Sequence, residues 1–333
     1  MTIRDIARDT GLSPTTISLV LNGGPGSAAI SAATRAAVMA ATRRLGYDLT
    51  RLRGRRRRTL NSVTIFCPEE RSPNDPIHYH LVLTLSRVLL QHGCQAVLEP
   101  YGGWDTATAT ERLRDGQSDA AIVLASLALR RDMPSWDFPA VYIGDVPDGV
   151  DVRRVHVDNE LGGRLAGEHL WRLGHRRLGV LQVPYGTCAE KRLEALRATW
   201  SDHGATLDPD AVIGMEAADH RLVAPAVRRL MEREEPPTAL FCNSDWLASL
   251  VLRALRDFGL RIPEDISVVG FDDAHYAQLL SPPLTTVRQP FAELGALAVE
   301  LLLEQASAEQ PGSRAYVLPC ALVARESTAP PRR

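Results

Sequence analysis

The segment that most constrains the fold is residues 13–22, which have the sequence SPTTISLVLN. Ser13 is a preferred helix N-cap, and Pro14 suits the first helical position because no amide hydrogen is needed there. Apolar residues follow at helical spacing: Ile17, Val20 and Leu21. The opposite face carries hydroxyl side chains: Thr15, Thr16 and Ser18. The pattern predicts a short helix with one apolar face and one hydroxylated face.

A second short helix is predicted just upstream of this one. Thr2 and Asp5 have the spacing of a capping box, and Gly11 is a suitable residue to end the helix. Two short helices joined by a glycine-containing turn are typical of a helix-turn-helix, whose second helix enters the major groove of DNA. An ordinary helical hairpin at the start of a domain is the alternative interpretation.

Several spaced motifs in the first 47 residues together resemble a known family. In chain order they are TIRDIA (2–7), GLS (11–13), TIS (16–18), VLN (20–22), IS (30–31), TR (34–35) and LGY (45–47). They resemble the headpiece of the lactose-repressor family of bacterial transcription regulators. The resemblance implies that this segment binds DNA through Thr2, Ser13, Thr15, Thr16, Ser18 and Asn22.

The charge of the chain is distributed unevenly. Residues 1–60 contain eleven Arg against three Asp, a net charge of +8, so the other residues must carry −10 to give the overall −2. A basic segment joined to an acidic body is typical of a nucleic-acid-binding module on a larger domain. Within this segment a third helix is predicted to begin after Ser31, and it would close a three-helix core over Ile6 and Val20.

Residues 48–61 lie where the family has a hinge that pushes a leucine into the minor groove of its operator. Here Leu52 is the only apolar candidate for such a wedge, because the segment is dominated by the arginine run 55–58. Arginine in a narrow minor groove is another physical route to reading DNA shape. We therefore expect DNA contacts from Arg55 and Arg56, with Leu52 as the candidate wedge.

From residue 62 onwards, short apolar runs alternate with stretches of helical periodicity. The runs predicted to be buried parallel strands are 62–67, 95–98, 120–124, 140–143, 178–182, 238–242 and 266–271. The predicted helices are 80–92, 106–114, 162–173, 191–203, 222–232, 246–258 and 291–305. Alternation of this kind predicts doubly wound α/β layers, and the number of units favours two lobes over one sheet.

Motifs in this second region resemble the regulatory core of the same family, which is shared with periplasmic sugar-binding proteins. They are VDN (157–159), LGHR (173–176), RLE (192–194), SVVGFDD (267–273), PLTTVRQP (283–290) and REST (325–328). The implied fold is an all-α helix-turn-helix headpiece followed by an α/β periplasmic-binding-protein-like core of two doubly wound lobes. By resemblance the chain crosses between the lobes near Asp158, Val287 and Pro311. The domains are then a headpiece at 1–47, a basic hinge at 48–61 and a core at 62–330, with an N-lobe of about 62–158 and 287–311 and a C-lobe of about 159–286 and 312–330.

Open α/β sheets bind ligands beyond the carboxyl ends of their strands. Arg192, Ser244 and Asp272 follow predicted strands, and family positions that match them touch a small-molecule effector. A carboxylate that accepts from hydroxyl groups and an arginine that donates to neighbouring oxygens suit a polyol. Asp245 is a candidate for the same site, although Asp245 and Ser244 could instead cap the next helix.

Other side chains are candidates for the same effector site. Asp145 lies one position after the place where family members often have an acid. Trp246 could either stack on a sugar face or simply be packed. His78 and Tyr79 fall in a segment that by resemblance lines the cleft, where a hydrogen bond to the effector is favoured over a metal site because no third ligand is near. Residues 158–159 are interpreted as a helix cap rather than as ligand contacts.

The sequence contains no recognisable catalytic constellation, cofactor motif or metal site, so neither an enzyme nor a cofactor is expected. No apolar run approaches the roughly 20 residues needed to cross a bilayer. Five scattered cysteines favour reduced thiols in a cytoplasm.

The resemblance implies a homodimeric repressor of carbohydrate-utilisation genes that leaves a palindromic operator when a small sugar binds. The alternatives are a corepressor-type regulator that binds a nucleobase or a phosphorylated metabolite, a stand-alone sugar-binding module, and an enzyme built on the α/β core.

Overall fold

The computed structural model describes residues 3–22, 30–45, 60–68, 77–101, 118–124, 138–146, 152–183, 186–307 and 314–332. Its first three helices are α1 (Ile3–Thr10), α2 (Pro14–Asn22) and α3 (Ala32–Arg44). Some predictions concern positions outside the described residues: Thr2, Leu52, Arg55, Arg56 and the helix predicted at 106–114.

The three N-terminal helices share one small core. Ile6, Ile17 and Val38 are completely buried in it, and Val20 packs beside them. Ser13 caps α2, because its Oγ accepts a hydrogen bond from the Thr16 amide at 3.0 Å. The predicted helix-turn-helix and its third helix are therefore confirmed.

The rest of the described chain forms two six-stranded sheets. The first sheet contains β1 (Ser62–Pro68), β2 (Gln95–Tyr101), β3 (Ala120–Leu124), β4 (Ala140–Ile143), β5 (Arg154–Val157) and β11 (Ala315–Leu318). The second contains β6 (Leu178–Gln182), β7 (Val212–Gly214), β8 (Ala239–Cys242), β9 (Ser267–Asp272), β10 (Thr285–Arg288) and β12 (Ala321–Val323). The strand orders are β11-β5-β4-β3-β1-β2 and β12-β10-β9-β8-β6-β7.

Every described strand pair is parallel except β10 with β12. The central strands β3, β4, β8 and β9 are buried at every residue. Helices cover both faces of a parallel sheet, which is why such strands have continuous apolar sequences. The seven strands predicted from apolar runs are all present, and three of them have the predicted bounds.

The remaining described α-helices belong to the same two layers. They are α4 (Ile77–Gln91), α5 (Asn159–Leu173), α6 (Thr187–Asp202), α7 (His220–Met231), α8 (Asp245–Asp257) and α9 (Phe291–Ser307). Most begin earlier than predicted. In α5, α7 and α8 a side-chain cap sets the first turn: Asp158, Asp219 and Ser244. Asp158 caps α5, for example, by accepting from the Leu161 amide at 2.8 Å. Within the described residues no helix is both long enough and apolar enough to span a membrane.

Five short strands were not predicted: β5, β7, β10, β11 and β12. They are only three or four residues long, and all five lie at or next to the edge of a sheet. Their backbone pairing is decided by neighbours that are distant in sequence. For example, β5 pairs with both β4 and β11.

The third crossing between the lobes was predicted at the wrong place. We expected it near Pro311, which would have put residues 312–330 in the second lobe. Instead β11 joins the first sheet by pairing with β5, and β12 joins the second sheet by pairing with β10. The chain therefore crosses between Leu318 and Ala321, because the apolar residues of β11 complete the edge of the first sheet before the chain leaves it.

Candidate functional site

The carboxyl ends of three central strands of the second sheet meet at one place. Asn243 follows β8, Asp272 ends β9, and Arg192 lies in the first part of α6, which follows β6. All three side chains are at least nine-tenths buried. Asn243 ties the ends of two neighbouring strands together, because its side chain accepts from the Val183 amide at 3.1 Å and donates to the Val183 carbonyl at 2.7 Å.

The guanidinium group of Arg192 is held from three sides. Its Nε donates to Asn159 Oδ1 at 2.8 Å, and its Nη1 donates to the Asn243 carbonyl at 2.6 Å. Its Cζ lies 3.5 Å from the centroid of the Phe271 ring. Arginine has five N–H donors, so these bonds leave donor capacity for the oxygens of a ligand.

Asp272, at the end of β9, has an uncommon backbone conformation. Its φ angle is 127°, in the left-handed region that favours glycine. Its carboxylate accepts from Gln289 Nε2 at 2.6 Å and, more weakly, from the Asp245 amide at 3.4 Å. Such strain persists only where surrounding contacts hold the residue in place, and it is common in binding sites.

Asp245 is fully buried, and its carboxylate accepts hydrogen bonds from other groups of the protein. It accepts from the Thr286 hydroxyl at 2.6 Å and from the Ala274 amide at 2.8 Å. Burial raises the pKa of this carboxyl to about 7. The side chain therefore joins the start of α8 to β10 and to the turn after β9. Contact with an effector remains a prediction for Asp245.

The two neighbours of Asp245 also make internal hydrogen bonds. Ser244 caps α8, since its Oγ accepts from the Leu247 amide at 3.2 Å. Trp246 donates from its indole nitrogen to the Ala218 carbonyl at 3.3 Å and packs against buried apolar residues of the second lobe. Both arrangements match the structural alternatives weighed from the sequence. Their contact with an effector remains a prediction.

Asp145 is brought close to Arg192, although it comes from the first sheet. Its carboxylate accepts from Asn159 Nδ2 at 2.8 Å and from Lys191 Nζ at 2.9 Å, and His156 Nδ1 lies 3.2 Å away. The interpretation of residues 158–159 as a shared helix cap is only half right. Asp158 is the cap, whereas Asn159 bridges Asp145 and Arg192.

The start of α4 carries the aromatic segment 78–80. Burial lowers the pKa of His78 to about 4, so its imidazole is neutral at neutral pH. Tyr79 is exposed, and His80 makes an edge contact with Phe291 at a centroid distance of 5.7 Å. In the described part of the chain no group of three His, Cys, Asp or Glu residues could hold a metal ion. Effector contact by His78 and Tyr79 remains a prediction.

Three residues of this site were not singled out from the sequence as ligand-site residues: Asn159, Lys191 and Phe271. Phe271 is the last apolar residue of a predicted strand, and Lys191 is adjacent to Arg192, so their positions were visible. Their partners were not, because each partner is supplied by another element of the fold.

The predicted DNA-facing side chains of α2 lie on its outer face. Thr15 is exposed, and Ser18 is partly exposed. The hydroxyls of Ser13 and Thr16 are hydrogen-bonded to each other at 2.9 Å. This face is therefore small and rich in hydroxyl groups, which is compatible with close approach to phosphates and base edges.

Two family models match the chain. The model of bacterial regulatory proteins of the lacI family matches residues 2–48. The model of a periplasmic binding protein-like domain matches residues 168–328. The two matches coincide with the helical headpiece and with much of the α/β core.

Curated relatives and solved structures match along almost the whole chain. The chain is 28% identical over 339 residues to the transcriptional repressor CytR of Escherichia coli K12, covering 98% of this chain and 96% of CytR. It is 32% identical over 340 residues to the transcriptional regulator CelR of Thermobifida fusca, covering 98% of each.

The fold is also similar to two structures determined with ligands. A CelR–cellobiose complex aligns with a TM-score of 0.71 and 30% identity, covering 98% of this chain and 99% of that one. The Lac repressor dimer bound to operator and the anti-inducer ONPF aligns with a TM-score of 0.69 and 25% identity, covering 99% of each. The helix-turn-helix, the two-sheet core and these likenesses together show that the chain belongs to the lacI family of bacterial regulatory proteins and is a DNA-binding transcriptional regulator.

Proposed function

We propose that this regulator is a cytoplasmic homodimer that represses carbohydrate-utilisation genes and leaves a palindromic operator when a small sugar binds. The observation that carries the proposal is that Arg192 and Asp272 are both buried near the carboxyl ends of the central strands of the second sheet. A positioned guanidinium donates to neighbouring oxygens and a carboxylate accepts from hydroxyl groups, and together they suit a polyol. The likeness to a regulator bound to cellobiose supports the same ligand class.

Successive segments of the chain have different proposed roles. Residues 1–47 bind DNA, residues 48–61 form a basic hinge, and residues 62–330 bind the effector and the second subunit. Thr15, Thr16 and Ser18 read the half-site, and Ser13 and Asn22 anchor the DNA backbone. Thr2 is a further DNA contact. In the hinge, Arg55 and Arg56 contact phosphates or the minor groove, and Leu52 is the candidate wedge.

The effector contacts proposed for the core are not all of one kind. Arg192 and Asp272 are the central pair, since both present charged groups at the strand ends. Around them are the other candidates: His78, Tyr79, Asp145, Ser244, Asp245 and Trp246. The internal hydrogen bonds of Ser244, Asp245 and Trp246 support a role in shaping the pocket wall.

Regulation in this proposal is a coupling between two sites. The effector binds between the lobes and changes their relative closure, and this changes the spacing of the two hinges of the dimer. A tenfold change in operator affinity needs only about 1.4 kcal/mol of differential binding. By reciprocity, operator DNA must weaken effector binding by the same factor.

The first test is a thermal-shift screen of the purified full chain. The panel contains mono- and disaccharides including cellobiose, sugar phosphates, and purines. A compound at 100 times its dissociation constant stabilises the folded protein by about 2.7 kcal/mol, enough for a visible shift. A sugar that shifts the wild type and releases selected operator DNA supports the proposal. A purine or phosphorylated compound that tightens DNA binding supports the corepressor alternative instead.

Oligomeric state is tested separately by sedimentation. The proposal expects a mass of two protomers at micromolar concentration, and a mass of four protomers contradicts it. A stand-alone sugar-binding module would bind a sugar but show no specific affinity for any selected DNA duplex.

A further inference from the structure

Asp145 is a buried carboxylate with an unusual set of donors. It follows β4 of the first sheet, and its side chain is only 6% exposed. Lys191 Nζ lies 2.9 Å from Oδ1, Asn159 Nδ2 donates to Oδ2 at 2.8 Å, and His156 Nδ1 lies 3.2 Å from Oδ1. A buried charge of this kind is tolerated only when it is paired and hydrogen-bonded.

The main donors come from the other side of the cleft. Lys191 lies on α6, which follows β6 of the second sheet, whereas Asp145 belongs to the first sheet. Asn159 is the first residue of α5, immediately after the chain has crossed from β5. The carboxylate of one lobe is therefore bonded to the helix of the other.

The same helix is connected to Asp145 by a second route. Asn159 donates to Asp145 and at the same time accepts from Arg192 Nε at 2.8 Å. Two consecutive residues of α6, Lys191 and Arg192, thus reach one carboxylate, the first directly and the second through Asn159. The orientation of Arg192 depends on where Asp145 lies.

We propose that Asp145 and Lys191 form an interlobe clasp, an ion pair that holds the two lobes together at the effector site and, through Asn159, positions Arg192. The inference rests on the proposed function, in which an effector binds between the lobes and engages Arg192. Lys191 and Asp145 act as positioning residues. Without Lys191 the buried carboxylate loses its counter-charge, and the lobes separate to hydrate it.

A native thiol reports on this separation. Cys188 lies near the start of α6 and is partly exposed. Burial raises the pKa of its thiol, and the charges of Arg192, Asp145 and Asp272 act on it. Since the thiolate is the reactive form, a closed cleft keeps alkylation of Cys188 slow, and opening of the cleft accelerates it.

The test measures iodoacetamide labelling of Cys188 in the full chain without effector, read by peptide mass spectrometry. Lys191→Met should raise the labelling rate about three- to tenfold, the factor expected from losing a partly exposed charge-assisted hydrogen bond. Because the charge of Asp145 itself raises the pKa of Cys188, each labelling rate is divided by the thiolate fraction from that variant's own pH–rate profile. On this scale Asp145→Asn should act in the same direction, and it serves as the second variant if Lys191→Met does not fold. The double variant should label no faster than the faster single variant, because both changes break one interaction.

Two control variants separate loss of the Asp145–Lys191 ion pair from a general effect of changing α6. Arg197→Met removes a positive charge from the exposed face of the same helix and should leave the Cys188 rate unchanged, as should the conservative change Lys191→Arg. Buried Cys242 should stay unlabelled throughout. If Lys191→Met and Asp145→Asn label at the rate of Arg197→Met, there is no clasp. No effector is used, so a flat ligand screen would contradict the proposed function without affecting this result.

Discussion

The guanidinium of Arg192 lies against the ring of Phe271, with 3.5 Å between Cζ and the ring centroid. The Phe271 ring also packs closely against Gly162 of α5. A Cβ at position 162 would lie 2.7 Å from the ring, so this position requires glycine. The aromatic face supports the guanidinium, while Asn159 and Asn243 hold its Nε and Nη1. Helix α5, strand β9 and helix α6 are thus packed together around one charged group.

Arg192→Ala should abolish the response to the effector while leaving operator affinity within a few fold. The variant removes the proposed donor to the ligand. It also leaves Asn159 Oδ1 and the Asn243 carbonyl without the guanidinium as a hydrogen-bond donor. Such unsatisfied buried groups cost about 1–3 kcal/mol of stability. Arg197→Ala on the exposed face of α6 is the matched control, and thermal shift with the sugar found for the wild type is the measurement. A full ligand shift in Arg192→Ala would exclude this residue from the site.

The stability of the protein should depend on the protonation of Asp245. Burial raises its pKa from the ordinary 3.8 to about 7, so the folded state keeps a proton that the unfolded chain has lost. The resulting stabilisation is complete below the unfolded pKa and is lost as the pH rises through the folded pKa. Between these two values the free energy of unfolding should fall by up to about 1.4 kcal/mol per pH unit from this group.

Asp245→Asn is the variant that isolates this contribution. Its amide oxygen can accept from the Ala274 amide, and its amino group can donate to the Thr286 hydroxyl, so the two contacts are kept in altered form. Urea unfolding across this pH range should show the variant gaining stability relative to wild type as the pH rises toward 7, with no further change above it. Parallel pH profiles for the two proteins would show that Asp245 ionises normally.

Gly163→Ala should destabilise the core by forcing α5 away from α6. A Cβ at this position would lie 2.5 Å from the Arg192 carbonyl oxygen and 2.8 Å from the Ala195 Cβ. Because the first obstacle is backbone, the helices must shift, and overpacking of this kind costs about 1–3 kcal/mol. Gly214→Ala, where a Cβ meets no atom within 4 Å, is the control for urea unfolding. Equal midpoints for the two variants would contradict the close helix packing.

Arg56→Ala tests the basic hinge. If this arginine contacts a phosphate, the slope of the logarithm of operator affinity against the logarithm of salt concentration should fall by about 0.9. Arg55→Ala should behave alike, and Arg197→Ala in the core should leave the slope unchanged. The measurement is a salt titration of binding to a selected operator duplex. An unaltered slope for both hinge variants would mean that the arginine run is only solvated.

The elements predicted correctly have local signals. Strands such as β3 and β4 are continuous apolar runs, since both faces are covered by helices, and helix α2 carries its own cap at Ser13 and its own apolar face. The third lobe crossing was misplaced because β11 is only four residues long and partly exposed, so its sequence does not show which sheet it joins. Its pairing with β5 depends on a strand that lies about 160 residues earlier in the chain.

Some residues of the candidate site could be predicted from the sequence, and others only from the structure. Residue type and position after a strand were enough to nominate Arg192 and Asp272, because carboxyl ends of parallel strands converge in every sheet of this class. The sequence could not assign Asn159 its bridging role, nor separate the capping of Ser244 from ligand contact. Those assignments depend on which atoms lie within about 3 Å of each side chain.

By itself the sequence determined the headpiece, the alternating α/β core and the family. These follow from periodicity, caps and spaced motifs, which act over a few neighbouring residues. Only the tertiary structure decided that Asp145 of one sheet meets Lys191 beside the other, at 2.9 Å. The physical reason is that hydrogen bonds and buried charges are short-range interactions, so their partners are known only after the chain has brought distant segments together.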